Sequence, residues 1–186
     1  MFGVVETDAL SGVLAPTCHA LNIPLLAARG YSSVTVLPEF AVDQIIPAMD
    51  AGQSVVVLHL GDHDPSGIDM SRNVKERLAL FLSYPPTVVR IALNLDPVEE
   101  FNLPENPAKT TDNRFGEYEK RNGIASWELD ALPRDYLAWL VRAHAEHFID
   151  PNLWTESRRD TSEVKASLAQ LSSQWQSSHG EWDKVH

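Results

Sequence analysis

Cysteine is almost missing: Cys18 is the single one. That excludes an intramolecular disulfide and fits a reducing compartment, so the expected location is the cytoplasm. Basic residues are scarce as well, 15 against 26 acidic ones, for a formal net charge of −11. A protein that coats nucleic acid by charge alone is therefore excluded. A DNA enzyme whose basic surface is local, or lies on another domain, is not. Such a chain alone should bind DNA weakly and with a steep salt dependence. No apolar run is long enough to span a bilayer, and neither a signal-peptide pattern nor an internal repeat is present, so no membrane partner is expected. What is there is 186 residues, 44% of them hydrophobic, enough for an ordinary domain with its own core.

The chain is organised around the stretch from Ser54 to Met70. Val55 to Leu58 is apolar and β-branched without clean alternation, which reads as a strand buried on both faces of a parallel sheet. It runs into Asp62 and Asp64, one residue apart, then a Pro-Ser-Gly turn and an amphipathic helix. The two carboxylates are thereby placed at the carboxyl end of a strand, where open α/β sheets hold their ligands. Pro65 keeps Asp64 out of helical dihedrals, and Ser66 is the expected N-cap. Two acids this close repel unless a cation, a shared proton or water relieves them. Hard oxygen ligands suit Mg²⁺ or Mn²⁺. His63, between them, reads as an exposed turn residue.

Before that stretch, Phe2 to Glu6 reads as a strand ending in a carboxylate. A helix is expected from Thr7 or Asp8 through Leu14, interrupted at Pro16. Ile23 to Ala28 reads as a second strand. A loop over 29–33 follows, and its serines lead into a helix covering Phe40 to Met49 that ends at Ala51-Gly52. Beyond the organising stretch, Met70, Val74, Leu78, Phe81 and Leu82 recur at helical spacing, with Tyr84-Pro85-Pro86 as the stop. Thr87 to Leu93 reads as a fourth strand. Strand and helix thus alternate up to Leu93, which predicts an α/β fold with a parallel sheet of about four strands flanked by helices. Asp96 to Asp112 is expected to be mostly loop, Asn113 to Asn122 a short polar helix, and 127–132 a strand or turn. A helix is expected from about Pro133 to Phe148. The resulting division is a core over 1–94, a mostly helical C-terminal extension over 95–154, and a polar tail over 155–186, helical or partly disordered. Cys18 is expected to be buried, and His144 and His147 to be surface residues.

Glu6 at the end of the first strand, with Asp62 and Asp64 at the end of the third and Gly67 behind them, resembles the TOPRIM domain of topoisomerases, primases, nucleases and repair proteins. The likeness covers roughly Phe2 to Leu93. It extends further toward the A subunit of type IIB topoisomerases and the meiotic double-strand-break protein. There a similar aspartate-proline-glycine turn precedes a long helix, a strand and an acidic-proline segment, here Leu95-Asp96-Pro97-Val98-Glu99-Glu100-Phe101-Asn102-Leu103-Pro104. Prophage and actinobacterial proteins of this type carry stretches similar to 29–33, 107–112 and 127–132.

The resemblance implies a Rossmann-like TOPRIM fold and a divalent-metal-dependent DNA-processing module, topoisomerase- or nuclease-like. Glu6, Asp62 and Asp64 would be both catalytic residues and ligands of Mg²⁺ or Mn²⁺. Lys109, Arg114 and Arg29 are the basic candidates for phosphate or DNA contact. Glu128 and Asp130 read as local capping or pairing residues, with a second metal site as the lesser alternative. In the type IIB family the nucleophilic tyrosine lies on a winged-helix domain before TOPRIM. This chain opens on the TOPRIM strand, so the expectation is that an upstream domain or separate subunit supplies the nucleophile. None of Tyr31, Tyr84, Tyr118 or Tyr136 matches that position. DNA is the expected partner, and a homodimer is possible. Two other readings stand beside this one. A TOPRIM fold can serve as a non-catalytic scaffold or partner-binding module. A haloacid-dehalogenase-like phosphatase also uses a strand followed by two spaced aspartates. Here, however, Ser66 stands where that family has Thr or Val, and the acids follow the third strand rather than the first.

Overall fold

A computed structural model of the chain describes residues 1–28 and 36–179. The chain divides into two units, Met1–Ala145 and Glu146–His186.

The first unit is built on β1 (Phe2–Val5), β2 (Leu25–Ala27), β3 (Val56–Leu60) and β4 (Thr87–Ala92). They form one parallel sheet in the order β2-β1-β3-β4. Helix α1 (Asp8–Ala20) joins β1 to β2. It runs straight through Pro16, where the sequence predicts a break. Proline removes one hydrogen bond, to the carbonyl four residues back. That residue is Gly12, and both it and Pro16 are exposed, so water meets the freed carbonyl. The next helix comes in three pieces: α2 (Val36–Phe40), a π-helical turn (Ala41–Ile45) and α3 (Ile46–Asp50). The wide turn ends two residues before Pro47, which cannot donate to the ladder. Gly52, at φ +79°, follows the helix end. The serines proposed to lead into this helix lie outside the described residues.

Chain direction decides which face each helix covers. The path moves outward from β1 to β2, then back past β1 to β3 and on to β4. With right-handed crossovers, α1 falls on one face, while α2, α3 and α4 (Pro65–Ala79) fall on the other. The core agrees: Phe2, Val4, Val55 and Val57 pack in one cluster with Leu37, Ala41 and Ile45 and with Met70, Val74 and Leu78 of α4. Helix α4 ends at Ala79, before the Tyr84-Pro85-Pro86 stop.

Past β4 the chain is less open than its composition suggests. Within the expected loop lies α5 (Leu95–Glu100). Then β5 (Asn106–Pro107) pairs antiparallel with β6 (Ala125–Ser126) around α6 (Phe115–Asn122), which stops at Gly123, φ +79°. A 3₁₀ turn (Leu129–Ala131) leads to α7 (Arg134–Phe148), which buries Leu137, Leu140, Val141 and Ala145. Tyr136 is only half-buried; its ring meets Phe101 edge-on and lies tilted against Trp139. As expected, Cys18 is buried, and burial pushes its thiol up to about 11.

The second unit is dominated by α8 (Pro151–His179), 29 residues long. Asp150 caps it: its Oδ1 accepts from Asn152 N at 2.8 Å and Leu153 N at 3.2 Å. Among the described residues no helix is long and apolar enough to cross a membrane.

Candidate functional site

In a doubly wound sheet the ligand crevice opens where successive crossovers leave in opposite directions, at the carboxyl ends of the two strands that flank that point. Here those strands are β1 and β3. Glu6 is the first residue after β1, and Gly61-Asp62 follow β3. Glu6 N donates to Leu60 O at 3.0 Å, which continues the ladder between these two strands. Asp62 N then donates to Glu6 Oε2 at 3.1 Å, so the structure brings Glu6 and Asp62 together. Gly61 makes this possible: a β-carbon there would stand 2.5 Å from Glu6 Oε2.

The acid turn is extended, so alternate residues face opposite ways. Asp62 and Asp64 are half-buried on one side, while Gly61 and His63 are buried on the other. His63 is 4% exposed, which corrects the expectation of an exposed turn residue. Its Nδ1 lies 3.1 Å from Leu93 O, and its ring meets Tyr118 and Trp127 edge-on. Its backbone forms an isolated antiparallel bridge with Trp127, His63 N to Trp127 O at 2.8 Å and Trp127 N to His63 O at 3.0 Å. Tyr118 Oη donates to His63 O at 3.0 Å and is close to Ala125 O as well, at 2.6 Å.

The cap of α4 also differs from expectation. Asp64, not Ser66, is the N-cap: its Oδ1 accepts from Gly67 N at 2.6 Å and from Ser66 Oγ at 3.1 Å. Gly67 has to be glycine, because a β-carbon there would run into the Asp62 carbonyl. Asp62 is held from the other side, its Oδ1 accepting from Leu129 N at 2.8 Å. Glu6, Asp62 and Asp64 thus each spend one oxygen on a backbone N–H. Their second oxygens have no hydrogen-bond partner among the described residues.

Two residues not singled out in the sequence lie directly behind this turn. Arg90, in β4, is paired in register with His59 of β3. Its Nη1 donates to Gly67 O at 2.7 Å, and its Nη2 reaches Gly61 O at 2.8 Å, Asp62 O at 2.6 Å and Leu93 O at 3.2 Å. One guanidinium therefore gathers the carbonyls of the acid turn, the first turn of α4 and the end of β4. His59 is fully buried, with Nδ1 2.8 Å from Ser71 Oγ and Nε2 without a partner. Burial, and then Arg90, push it down to about 3, so it stays neutral. The available signal was a basic residue and a histidine inside two otherwise apolar strands.

The electrostatics are those of crowded acid. Burial first, then Asp62, push Glu6 up to about 7; Asp64 adds to the rise, and Arg90 pulls the other way. Asp62 is also pushed up, chiefly by burial and then by Asp64, Glu128 and Asp130, against the Leu129 N–H. Glu128 and Asp130 are thus neighbours of the site, one on each side of the residue that bonds Asp62.

Of the basic candidates, the two that are described, Lys109 and Arg114, do not join this cluster. Lys109 is exposed on its loop. Arg114 is forked onto Asp112, at 2.7 and 2.6 Å, and its Nη1 lies 3.7 Å from Asp69 of α4. It ties the 112–114 turn to that helix. Arg29 lies outside the described residues. His144 is half-buried with Nδ1 near Leu140 O, and His147 is exposed.

Among the described residues no three His, Cys, Asp or Glu side chains are drawn around one point as a ready cation cage. The donor set nevertheless fits a hard divalent ion, with carboxylate oxygens only, one free oxygen on each of three acids, and like charge that a cation would relieve. No protein-family model matches the chain, and no curated protein matches it significantly.

Proposed function

We propose that this chain is a TOPRIM-type, divalent-metal-dependent DNA-processing module that cleaves or transfers phosphodiesters. The observation that carries the reading is the meeting of Glu6 with Asp62, and Asp64 two residues on, at the point where the sheet reverses direction, with Glu6 and Asp62 raised chiefly by burial and further by neighbouring acids. Glu6, Asp62 and Asp64 would hold Mg²⁺ or Mn²⁺, which there would neutralise a scissile phosphate and stabilise the leaving oxygen. The rest falls to the chain itself. Glu6, at about 7, exchanges a proton near neutral pH and is suited to take one from an attacking hydroxyl. Arg90 fixes the turn through four carbonyls, so the acids keep their places as their charge changes.

The tyrosines of the described residues favour water as the nucleophile when this chain acts alone. Tyr118 Oη is bound to a carbonyl and pushed up to about 12 by burial. Tyr84 Oη donates to Gln53 O at 3.0 Å, and Tyr136 packs against the rings of Phe101 and Trp139. This supports hydrolysis without a covalent protein–DNA adduct; Tyr31 lies outside the described residues.

The test has two arms. Calorimetric titration with Mn²⁺ should reveal a site that Asp62→Asn with Asp64→Asn removes; Asn still caps α4, so the fold should persist. Supercoiled plasmid with Mn²⁺ should acquire protease-independent nicks that are lost in Glu6→Gln. No heat of binding at millimolar Mn²⁺ would sink the metal reading. DNA trapped on the protein would sink the hydrolytic one.

A further inference from the structure

His59 has one ring nitrogen that its surroundings do not use. The residue is fully buried in β3, its Nδ1 lies 2.8 Å from Ser71 Oγ, and its Nε2 meets no partner. A buried polar atom left this way costs free energy and calls for a reason. The sheet register supplies one. His59 stands beside Val4 of β1, so two residues on, the same face carries Gly61 beside Glu6. That face is the one α4 covers, since Ser71 belongs to α4. Gly61 has no side chain, and its neighbours close the space it leaves. A β-carbon there would lie 2.5 Å from Glu6 Oε2 and 3.0 Å from His59 Cε1. Cε1 is bonded to Nε2, so the unpartnered edge of the imidazole and the Glu6 carboxylate border the same small space. The ring proton is on that edge. Burial keeps His59 neutral, so one nitrogen alone carries hydrogen. Ser71 Oγ has no other acceptor among the described residues, which makes it the donor to Nδ1 and leaves the proton on Nε2.

We propose that His59 is the positioning residue of Glu6: its Nε2–H bonds the Glu6 carboxylate when that group is ionised, and Ser71 holds the ring in place from behind. Glu6 has need of a second tie. The Asp62 N–H at 3.1 Å is its one hydrogen bond among the described residues, and a single bond on Oε2 leaves the carboxylate free to turn about it. A carboxylate offers about four lone-pair sites, enough for the Asp62 N–H, the His59 N–H and a cation together. The helix side fits the role. Where α4 meets the core with Met70, Val74 and Leu78, it turns a small hydroxyl toward His59. The line from Ser71 of α4 through His59 of β3 to Glu6 after β1 then fixes one carboxylate from three elements. Groups that hold a metal-binding side chain from behind in this way set its orientation. The inference rests on the metal reading of the acid site only where it speaks of a cation.

Two arms test it, and the first uses no metal. In nitrogen-15-labelled full chain at mildly alkaline pH, imidazole spectra should show the His59 proton on Nε2. That resonance should move in Glu6→Gln, where an amide replaces the carboxylate. A proton on Nδ1, or a resonance indifferent to Glu6→Gln, would overturn the proposal. The second arm is calorimetry with Mn²⁺. His59→Leu and His59→Asn should each raise the dissociation constant by ~10- to 100-fold, the range for partners lost from behind a metal ligand. His59→Gln should recover most of the affinity, because its amide N–H reaches the place of Nε2. Asn reaches only the place of Nδ1, so it keeps the Ser71 bond without the tie to Glu6. Ser71→Ala should weaken binding several-fold by freeing the ring. A histidine that only packs or anchors Ser71 would give the opposite order, with Asn better than Gln, and that order would overturn the proposal. Should the wild type give no heat with Mn²⁺, the metal reading falls, and the position and response of the ring proton decide the role of His59.

Discussion

Glu6→Gln should make the protein more stable in alkaline solution and change it little in acid. Burial beside Asp62 raises the Glu6 carboxyl from 4.5 to about 7. In the unfolded chain it reverts to the ordinary value, so between those two values the folded state binds more proton than the unfolded state. The sign follows: this group's contribution to stability is fully present below about 4.5, falls as pH rises, and is gone above about 7. At about 1.4 kcal/mol per pH unit, the loss is roughly 3 kcal/mol. Glutamine keeps an oxygen for the Asp62 N–H but cannot ionise. Urea unfolding followed by tryptophan fluorescence, on both proteins across the window, reads the difference directly. The difference should be near zero in acid, grow between the two values and level off in favour of Glu6→Gln. Mn²⁺ should narrow it at high pH, because an ion bound to the folded state alone restores stability to the wild type. A difference that stays flat with pH would refute the crowding argument.

Arg90→Met should cost roughly 3–5 kcal/mol in urea, because it strands buried carbonyls and leaves the acids without their cation. A loss below about 1 kcal/mol would show that the turn holds without it. Gly67→Ala should cost about 2 kcal/mol by driving a methyl into the Asp62 carbonyl. It should also abolish the Mn²⁺ response in calorimetry while circular dichroism stays native; an intact Mn²⁺ isotherm would contradict this.

The alternation of strands and helices up to β4 was legible because parallel strands are continuous apolar runs and the helices between them are amphipathic. The positions of Glu6, Asp62 and Asp64 at strand ends came with it. Three things were not legible, each for a physical reason. Arg90 and His59 look like faults in apolar strands, because nothing local in the sequence shows four carbonyls waiting on the far side. The nearness of Glu128 and Asp130 to Asp62 depends on a contact across 67 residues, from Leu129 N to Asp62 Oδ1. His63 looks exposed because it sits between two acids, yet period-two alternation turns it inward against Tyr118 and Trp127. Ser66 and Asp64 are both good capping residues, and only the folded turn shows that Asp64 is the one that reaches Gly67 N. Its Oδ1 caps the helix through Gly67 N, and the cap leaves Oδ2 over.

The pair of backbone hydrogen bonds between His63 and Trp127, with the Leu129 and Tyr118 contacts beside it, also sets how this part of the molecule breathes. None of these ties can be undone singly without stranding another buried group. Lifting residues 125–129 would expose the His63 ring, strip a donor from Asp62 and part the Tyr118 hydroxyl from Ala125 O at once. The backbone amides of His63, Trp127 and Leu129 should therefore exchange with solvent deuterium together and slowly, as one cooperative block, although Trp127 lies in an irregular segment. A loop that elsewhere would fray on its own is thereby bound to the sheet, and the acids inherit the sheet's lifetime.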